Sequence, residues 1–244
     1  MSIANKLLTI AENIPRVYNS GVTEGYREGA KYQHKSFWDN YQDYGKRSDY
    51  TNAFSGKGWT NETFKPIYKI YCGYMAFKNS MIEGDLVEIL NSLDVELDSA
   101  NSWSYQYTFE KTRLTRLGYL KMVNAPLVDT FRDSALLETI DGLEIKESIA
   151  INSSFVGCTA LKNLTMYGTV GQNFNLGDCP LSKASITSVY EHLSTTATAK
   201  TLTLKKSAVN AAFGIDIDDE ATYPIGSEYY TLRHSKDNWT VSYI

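Results

Sequence analysis

Apolar positions along the chain fall into three regimes. In the first, Ile3, Leu7, Ile10, Ile14 and Val17 recur at alternating steps of four and three, the a/d seam of a two-heptad coiled coil. Pro15 removes a backbone donor within that seam, which predicts a kink or a helix restart near Asn13 and Ile14. Past Val17 the heptad stops, and Gly21, Gly25 and Gly29 follow at steps of four. Either they line one face of a helix, or GVTEGYREGAKYQ is a flexible linker. A helix would need compensation, such as close approach of neighbouring helices, because each glycine costs about 1 kcal/mol against alanine. Two heptads are marginal as an isolated helix. Residues 1–50 are therefore expected to form an N-terminal helical arm that joins chains to one another.

The second regime, residues 51–181, repeats. Phe77, Phe109, Phe131 and Phe155 each carry a small residue three places on: Ser80, Thr112, Ser134 and Cys158. An aliphatic follows two or three places later: Ile82, Leu114, Leu136 with Leu137, and Leu161. A second comes three further on in the last three copies, at Leu117, Ile140 and Leu164. Phe174, in FNLGDCPL, reads as a degenerate fifth copy with its cysteine displaced. The long first interval contains DLVEILNSL, where Leu86, Ile89, Leu90 and Leu93 mark a short amphipathic helix. Units this small cannot bury their own apolar face, so stacking Phe over Phe and Leu over Leu gives a core shared between neighbours.

The third regime, residues 182–244, changes period again. Ile186, Val189, Tyr190 and Leu193 mark one face of a helix opened by Ser182. TLTLK alternates like a strand with Leu202 and Leu204 inward, AVNAAF predicts another short helix, and NWTVSYI alternates with Trp239, Val241 and Tyr243 on one side. A stacked array needs its terminal apolar face covered. This α/β segment has the position and pattern of such a cap.

Composition narrows the function classes. A net charge of −4, with no Lys/Arg run, argues against nucleic acid as a partner. The apolar stretches are too short to cross a bilayer, and the N-terminus lacks the pattern of a signal peptide. The expectation is synthesis in a cytoplasm, and export would need another route, such as release inside a larger particle. Cys72, Cys158 and Cys179 cannot make a disulfide framework and read as small buried apolar residues. The 18 tyrosines suit interfaces and sugar-binding surfaces, or simply fill the core between repeats.

Candidate chemistry is sparse. His34, His192 and His234 lie in separate segments, with no HExxH pattern and no carboxylate at ligand spacing. The acidic run at Asp216, Asp218, Asp219 and Glu220 lacks EF-hand spacing and reads as a solvated loop. No nucleophile elbow, P-loop or dinucleotide fingerprint is present, and no catalytic residue, metal site or cofactor is expected. Sequons at Asn61, Asn152, Asn163 and Asn238 carry little meaning without a secretory signal.

FVGCTALKNLTM resembles the bacterial surface-antigen class of leucine-rich repeats, in which Phe, Cys, Leu and a further aliphatic occupy these columns. NKLLTIAENIPRVYNSG, FSGKGWTNETFKPIY, CPLSKASITSVYEHLS, TLTLKKSAVNAAF and DNWTVSYI resemble phage and prophage proteins of gram-positive gut bacteria. The resemblance implies a short, irregular leucine-rich-repeat solenoid of the α/β class, acting as a non-enzymatic virion component of a tail, baseplate or tail fibre. It further implies self-association (a trimer by analogy with tail fibres), contact with other tail proteins, and contact with a host-surface glycan or protein. An adhesin-like or carbohydrate-binding module is the alternative. A cell-wall hydrolase would require a paired acid and base.

Overall fold

The structure is a computed structural model, and it describes residues 54–62, 64, 70–100, 102 and 104–244. The seam and glycine positions (Ile3, Leu7, Ile10, Ile14, Val17, Gly21, Gly25 and Gly29) and His34 lie outside the described residues.

The fold is α/β, built on parallel sheets. Strands β1 (Ile70–Tyr71) and β3 (Leu97–Asp98) form a small pair. A four-stranded sheet runs β2 (Glu83–Asp85), β4 (Arg113–Lys121), β5 (Thr139–Ile145) and β6 (Asn163–Gly168), every neighbour parallel. A second parallel sheet runs β7 (Phe174–Leu176), β8 (Lys200–Leu204) and β9 (Trp239–Tyr243). Helix α1 (Leu86–Ser92) follows β2, opened by Asp85, whose carboxylate accepts from Val87 N at 2.8 Å. Helix α2 (Lys183–Glu191) connects β7 to β8, and α3 (Lys206–Phe213) and α4 (Glu228–His234) connect β8 to β9. Ser182 and Ser227 cap α2 and α4, and Gly214, in the left-handed region at φ 65°, ends α3.

The Phe-headed segments are tight turns leading into strands. Two residues before each Phe (Met75, Tyr107, Asp129, Ser153) and two after (Asn79, Lys111, Asp133, Gly157), φ lies between 51° and 77°. This alternation lets successive amide groups serve two purposes. Phe77 N donates to Thr108 O at 2.7 Å, Phe109 N to Thr130 O at 2.7 Å and Phe131 N to Ser154 O at 3.0 Å. The amides between them close turns within each unit, as Ser80 N does to Phe77 O at 3.1 Å. The turns are thus stitched to one another as a ladder, and their buried polar backbone is satisfied.

Side chains follow the same stacking. Phe77, Phe109, Phe131 and Phe155 are buried, with consecutive ring centroids 5.2, 5.8 and 5.0 Å apart and planes within 25° of parallel. In two members of the small column the side chain also reaches the Phe carbonyl of the preceding turn. Ser134 Oγ donates to Phe109 O at 2.5 Å, and Cys158 Sγ lies 3.0 Å from Phe131 O. Leu117, Ile140 and Leu164 fall opposite one another in the strand register. Ser80, Ile82, Leu114, Leu137 and Leu161 are buried with them, whereas Leu136, paired with Leu137 in the sequence pattern, is 48% exposed.

Two features depart from the expected register. Phe174 is buried and packs on Phe155 at 5.8 Å, but it belongs to strand β7. The backbone place of the turn Phe passes to Leu176, since Cys179 N donates to Leu176 O as Cys158 N does to Phe155 O. In addition, Phe54 packs on Phe77 at 5.3 Å, with Phe54 N bonded to Ala76 O and Gly56 at φ 94° two places on. It is an earlier copy of the same turn. The expected division after residue 181 does not interrupt the core, because Phe174 and Leu176 share one apolar cluster with Leu202, Leu204 and Trp239.

Strand β6 would leave a parallel edge open. Helix α2 closes it: Ser185 Oγ accepts from Leu164 N at 2.8 Å and Ser188 Oγ from Met166 N at 2.9 Å. Two serine hydroxyls thereby stand in for carbonyls of a further strand, which ends the four-stranded sheet without an exposed edge there.

Candidate functional site

The outward face of the four-stranded sheet carries the most distinctive surface chemistry. Its inward leucines in β4 are spaced by three (Leu114, Leu117 and Leu120), where a regular strand repeats by two. The mismatch is absorbed by bulges. Gly84 pairs with Leu114 but Asp85 with Arg116, and Ile140 pairs with Leu164 but Leu143 with Met166. Each bulge places two residues between inward ones, Thr115 and Arg116 in β4 and Asp141 and Gly142 in β5.

The register of β4 on β5 is continuous, and it sets Tyr119 opposite Gly142, which falls within the bulge of β5 against β6. Tyr167 on β6 reaches across to meet it, with centroids 5.4 Å apart and planes at 71°. Both rings are about half exposed and lean over the glycine. A Cβ built on Gly142 would stand 2.5 Å from Tyr119 and 2.8 Å from Tyr167, so the close ring pair depends on the missing side chain.

Charged rows flank the tyrosines, and each basic group in them is paired with a carboxylate. Arg116 donates Nη2 to Asp141 at 2.8 Å and Nη1 to Asp85 at 3.0 Å, bridging three strands, and these hydrogen bonds raise its already high pKa. Arg113 pairs with Glu83 at 3.1 Å and Lys121 with Glu144 at 3.2 Å. The Tyr119 hydroxyl donates to Glu144, which pushes the phenol up to about 12 and holds the Glu144 carboxyl below its ordinary value.

The tyrosine row continues to His192, whose ring lies 6.4 Å from that of Tyr167 and whose Nδ1 is 2.8 Å from Ser188 O. There it opens into a polar groove of about 380 Å³ lined by Gly168, His192, Ser194, Thr196 and Lys236. A neighbouring depression of about 640 Å³ is bordered by Lys146, Gln172 and Lys200. Glu147 stands in both. Its carboxylate accepts from the Ser194 and Thr196 hydroxyls, which lower its pKa in that order of strength. Lys236 is anchored to Leu193 O at 2.6 Å and Lys200 to Gln172 at 3.0 Å.

The remaining sequence candidates are occupied elsewhere. His234 stacks on Tyr230 at 3.9 Å. Asp216 and Asp219 accept from backbone amides of their own loop, and Asp218 pairs with Lys206. Asn238 gives its amide to Ser194 O and Ala197 O. Among the described residues no group of three or more His, Cys, Asp or Glu is placed to hold a metal ion, and no helix is long and apolar enough to cross a membrane. The three cysteines are buried thiols, with Cys158 pushed up to about 12 by desolvation.

Sequence reasoning passed over Tyr119, Gly142 and Tyr167. The signal was present in the leucine spacing of three, which a strand accommodates only by bulging. Comparison with protein-family models, curated proteins and solved structures finds no match for this chain.

Proposed function

We propose that the chain is a non-catalytic binding and assembly protein: a short, irregular leucine-rich-repeat solenoid, closed by the α/β segment 182–244 and joined to further copies through its N-terminal arm. The observation that carries this reading is the column of Phe-headed turns, each flanked by left-handed residues and stacked ring on ring. Such an array is a rigid scaffold, and its long outward sheet face is a surface for recognition rather than a closed reaction chamber.

In this reading the protein is a virion component of a phage tail, baseplate or tail fibre, made in the bacterial host cytoplasm. Its partners are further copies of itself, neighbouring tail proteins and a host-surface molecule. The heptad pattern of Ile3, Leu7, Ile10, Ile14 and Val17 supports the self-association, and the sequence resemblance supports the setting. Sedimentation equilibrium of the full chain beside a variant lacking residues 1–30 tests the assembly. The expected result is an oligomer, a trimer in the favoured case, that falls to monomer on deletion. A full chain that is strictly monomeric removes the reading.

A further inference from the structure

We propose that the Tyr119–Gly142–Tyr167 notch, with the groove at the end of its row, is a binding site for an uncharged pyranose oligosaccharide. The inference rests on the reading of the chain as a binding protein and names the chemical class that this face accepts. Three observations carry it.

The first is the pair of half-exposed rings that meet edge to face at 71° over a glycine, so that the notch is an angular apolar corner with the Tyr119 hydroxyl held by Glu144 beside it. A sugar ring has the complementary character, an apolar C–H face bordered by hydroxyls, and tyrosine supplies stacking area together with a polar tip. The second is charge. Arg113, Arg116 and Lys121 are each committed to carboxylates of the same face. An anionic ligand would have to draw one of these basic groups from its partner, whereas a hydroxyl can donate to a carboxylate lone pair that the pair leaves free. The third is extent. From Tyr119 the row crosses Gly142 to Tyr167, 5.4 Å away ring to ring, and continues to the His192 ring at the end of α2, a further 6.4 Å. It then enters the groove, where the Ser194 and Thr196 hydroxyls hold Glu147 Oε1 and leave its second oxygen to accept from a ligand hydroxyl. That length suits several sugar units in line. A strand-adding peptide is disfavoured at this sheet's β6 edge, because Ser185 and Ser188 already hold its amides.

Isothermal titration of the full chain against neutral hexose and N-acetylhexosamine oligomers, with sialylated and uronic-acid oligomers alongside, tests the site. The expected result is saturable binding of at least one neutral oligomer, little changed by added salt. Tyr167→Ala is expected to weaken it about tenfold or more, the range for removing a central aromatic anchor. Gly142→Ala, which deletes no contact but pushes the rings apart, should weaken it too, and Leu136→Ala should not. Thermal unfolding of each variant establishes that the fold is intact. Preference for the acidic oligomers, absence of neutral binding, or neutral binding that survives both Tyr167→Ala and Gly142→Ala overturns the proposal. An oligomer that binds no neutral glycan would remove this inference and leave the assembly reading standing. A monomer that binds through Tyr167 would do the reverse.

Discussion

Truncating Phe131 probes the stacked column at its centre. The ring is fully buried between Phe109 at 5.8 Å and Phe155 at 5.0 Å, and the amide of the same residue holds Ser154 O. Phe131→Ala leaves that backbone bond intact and removes only the ring, so the loss reports side-chain packing. Core Phe→Ala substitutions cost about 3–5 kcal/mol, and each aromatic pair contributes roughly 0.5–1.5 kcal/mol beyond area burial. With two ring neighbours lost, the upper part of the core range applies, about 4–5 kcal/mol. At roughly 2–4 °C per kcal/mol for a chain of this size, the unfolding midpoint should fall by about 8–20 °C. Phe131→Leu, which keeps most of the volume and loses the ring pairing, should cost only about 1–2 kcal/mol. Urea unfolding followed by circular dichroism and tryptophan fluorescence gives both values. A Phe131→Ala cost below about 1.5 kcal/mol would refute a stacked, shared core, as would a leucine variant no better than alanine.

Further outcomes follow from the same geometry. Gly157→Ala should destabilise by about 1–2 kcal/mol, since φ is +77° and the new Cβ would meet Asp133 Oδ1 at 2.5 Å. Lys111→Gly, at the equivalent place in the preceding but one turn, should instead stabilise by roughly 0.5 kcal/mol; equal signs in chemical denaturation would contradict the shared conformation. Leu137→Ala should cost about 2–5 kcal/mol and Leu136→Ala less than about 0.5 kcal/mol, a contrast that thermal melts of the two variants resolve. Ellman's reagent should label Cys72, Cys158 and Cys179 slowly in the native protein and fully in denaturant, because burial raises all three thiols; rapid native labelling would sink the placement of Cys158 beneath the Phe131 carbonyl. The phenol of Tyr119, raised to about 12 by Glu144, favours the folded state below the ordinary tyrosine value of 10.0, and that contribution is lost as pH rises through about 12. The depressed Glu144 carboxyl has the opposite sense, contributing above its ordinary value of 4.5 and losing it as pH falls through the folded value. Phenolate absorbance should show one tyrosine titrating earlier in Glu144→Gln; an unchanged curve would mean the bond is absent in solution.

The repeat was legible in the sequence because its chemistry recurs in fixed columns. Phe, a small hydroxyl or thiol, and two aliphatics each meet the same neighbours one turn on, so one physical demand is written several times over. The cap helix was legible through Ser182 and the spacing of Ile186, Val189 and Tyr190, and the alternation of Leu202 with Leu204 placed β8. Phe54 was missed because Lys57, not a small residue, stands three places on; its marker was Gly56, which supplies the left-handed position. The fifth turn was displaced by two residues because Phe174 is a ring in the right stack supplied by the wrong backbone element. The tyrosine notch was hidden for a different reason. It depends on the bulge between Ile140 and Leu143 and on the absence of a Cβ at Gly142, and no single segment of sequence contains all three residues. Nor does local sequence reveal that Ser185 and Ser188 end the sheet, since their partners on β6 are set only by the tertiary arrangement.

Immunogold electron microscopy of particles from a producing culture, with an antibody raised against residues 54–244, addresses the functional claim most directly. Gold is expected to concentrate at the tail, baseplate or fibre of intact particles, at several copies per site, with capsids unlabelled. Particles that carry no label while the chain is abundant in the lysate's soluble fraction would contradict a place in the tail.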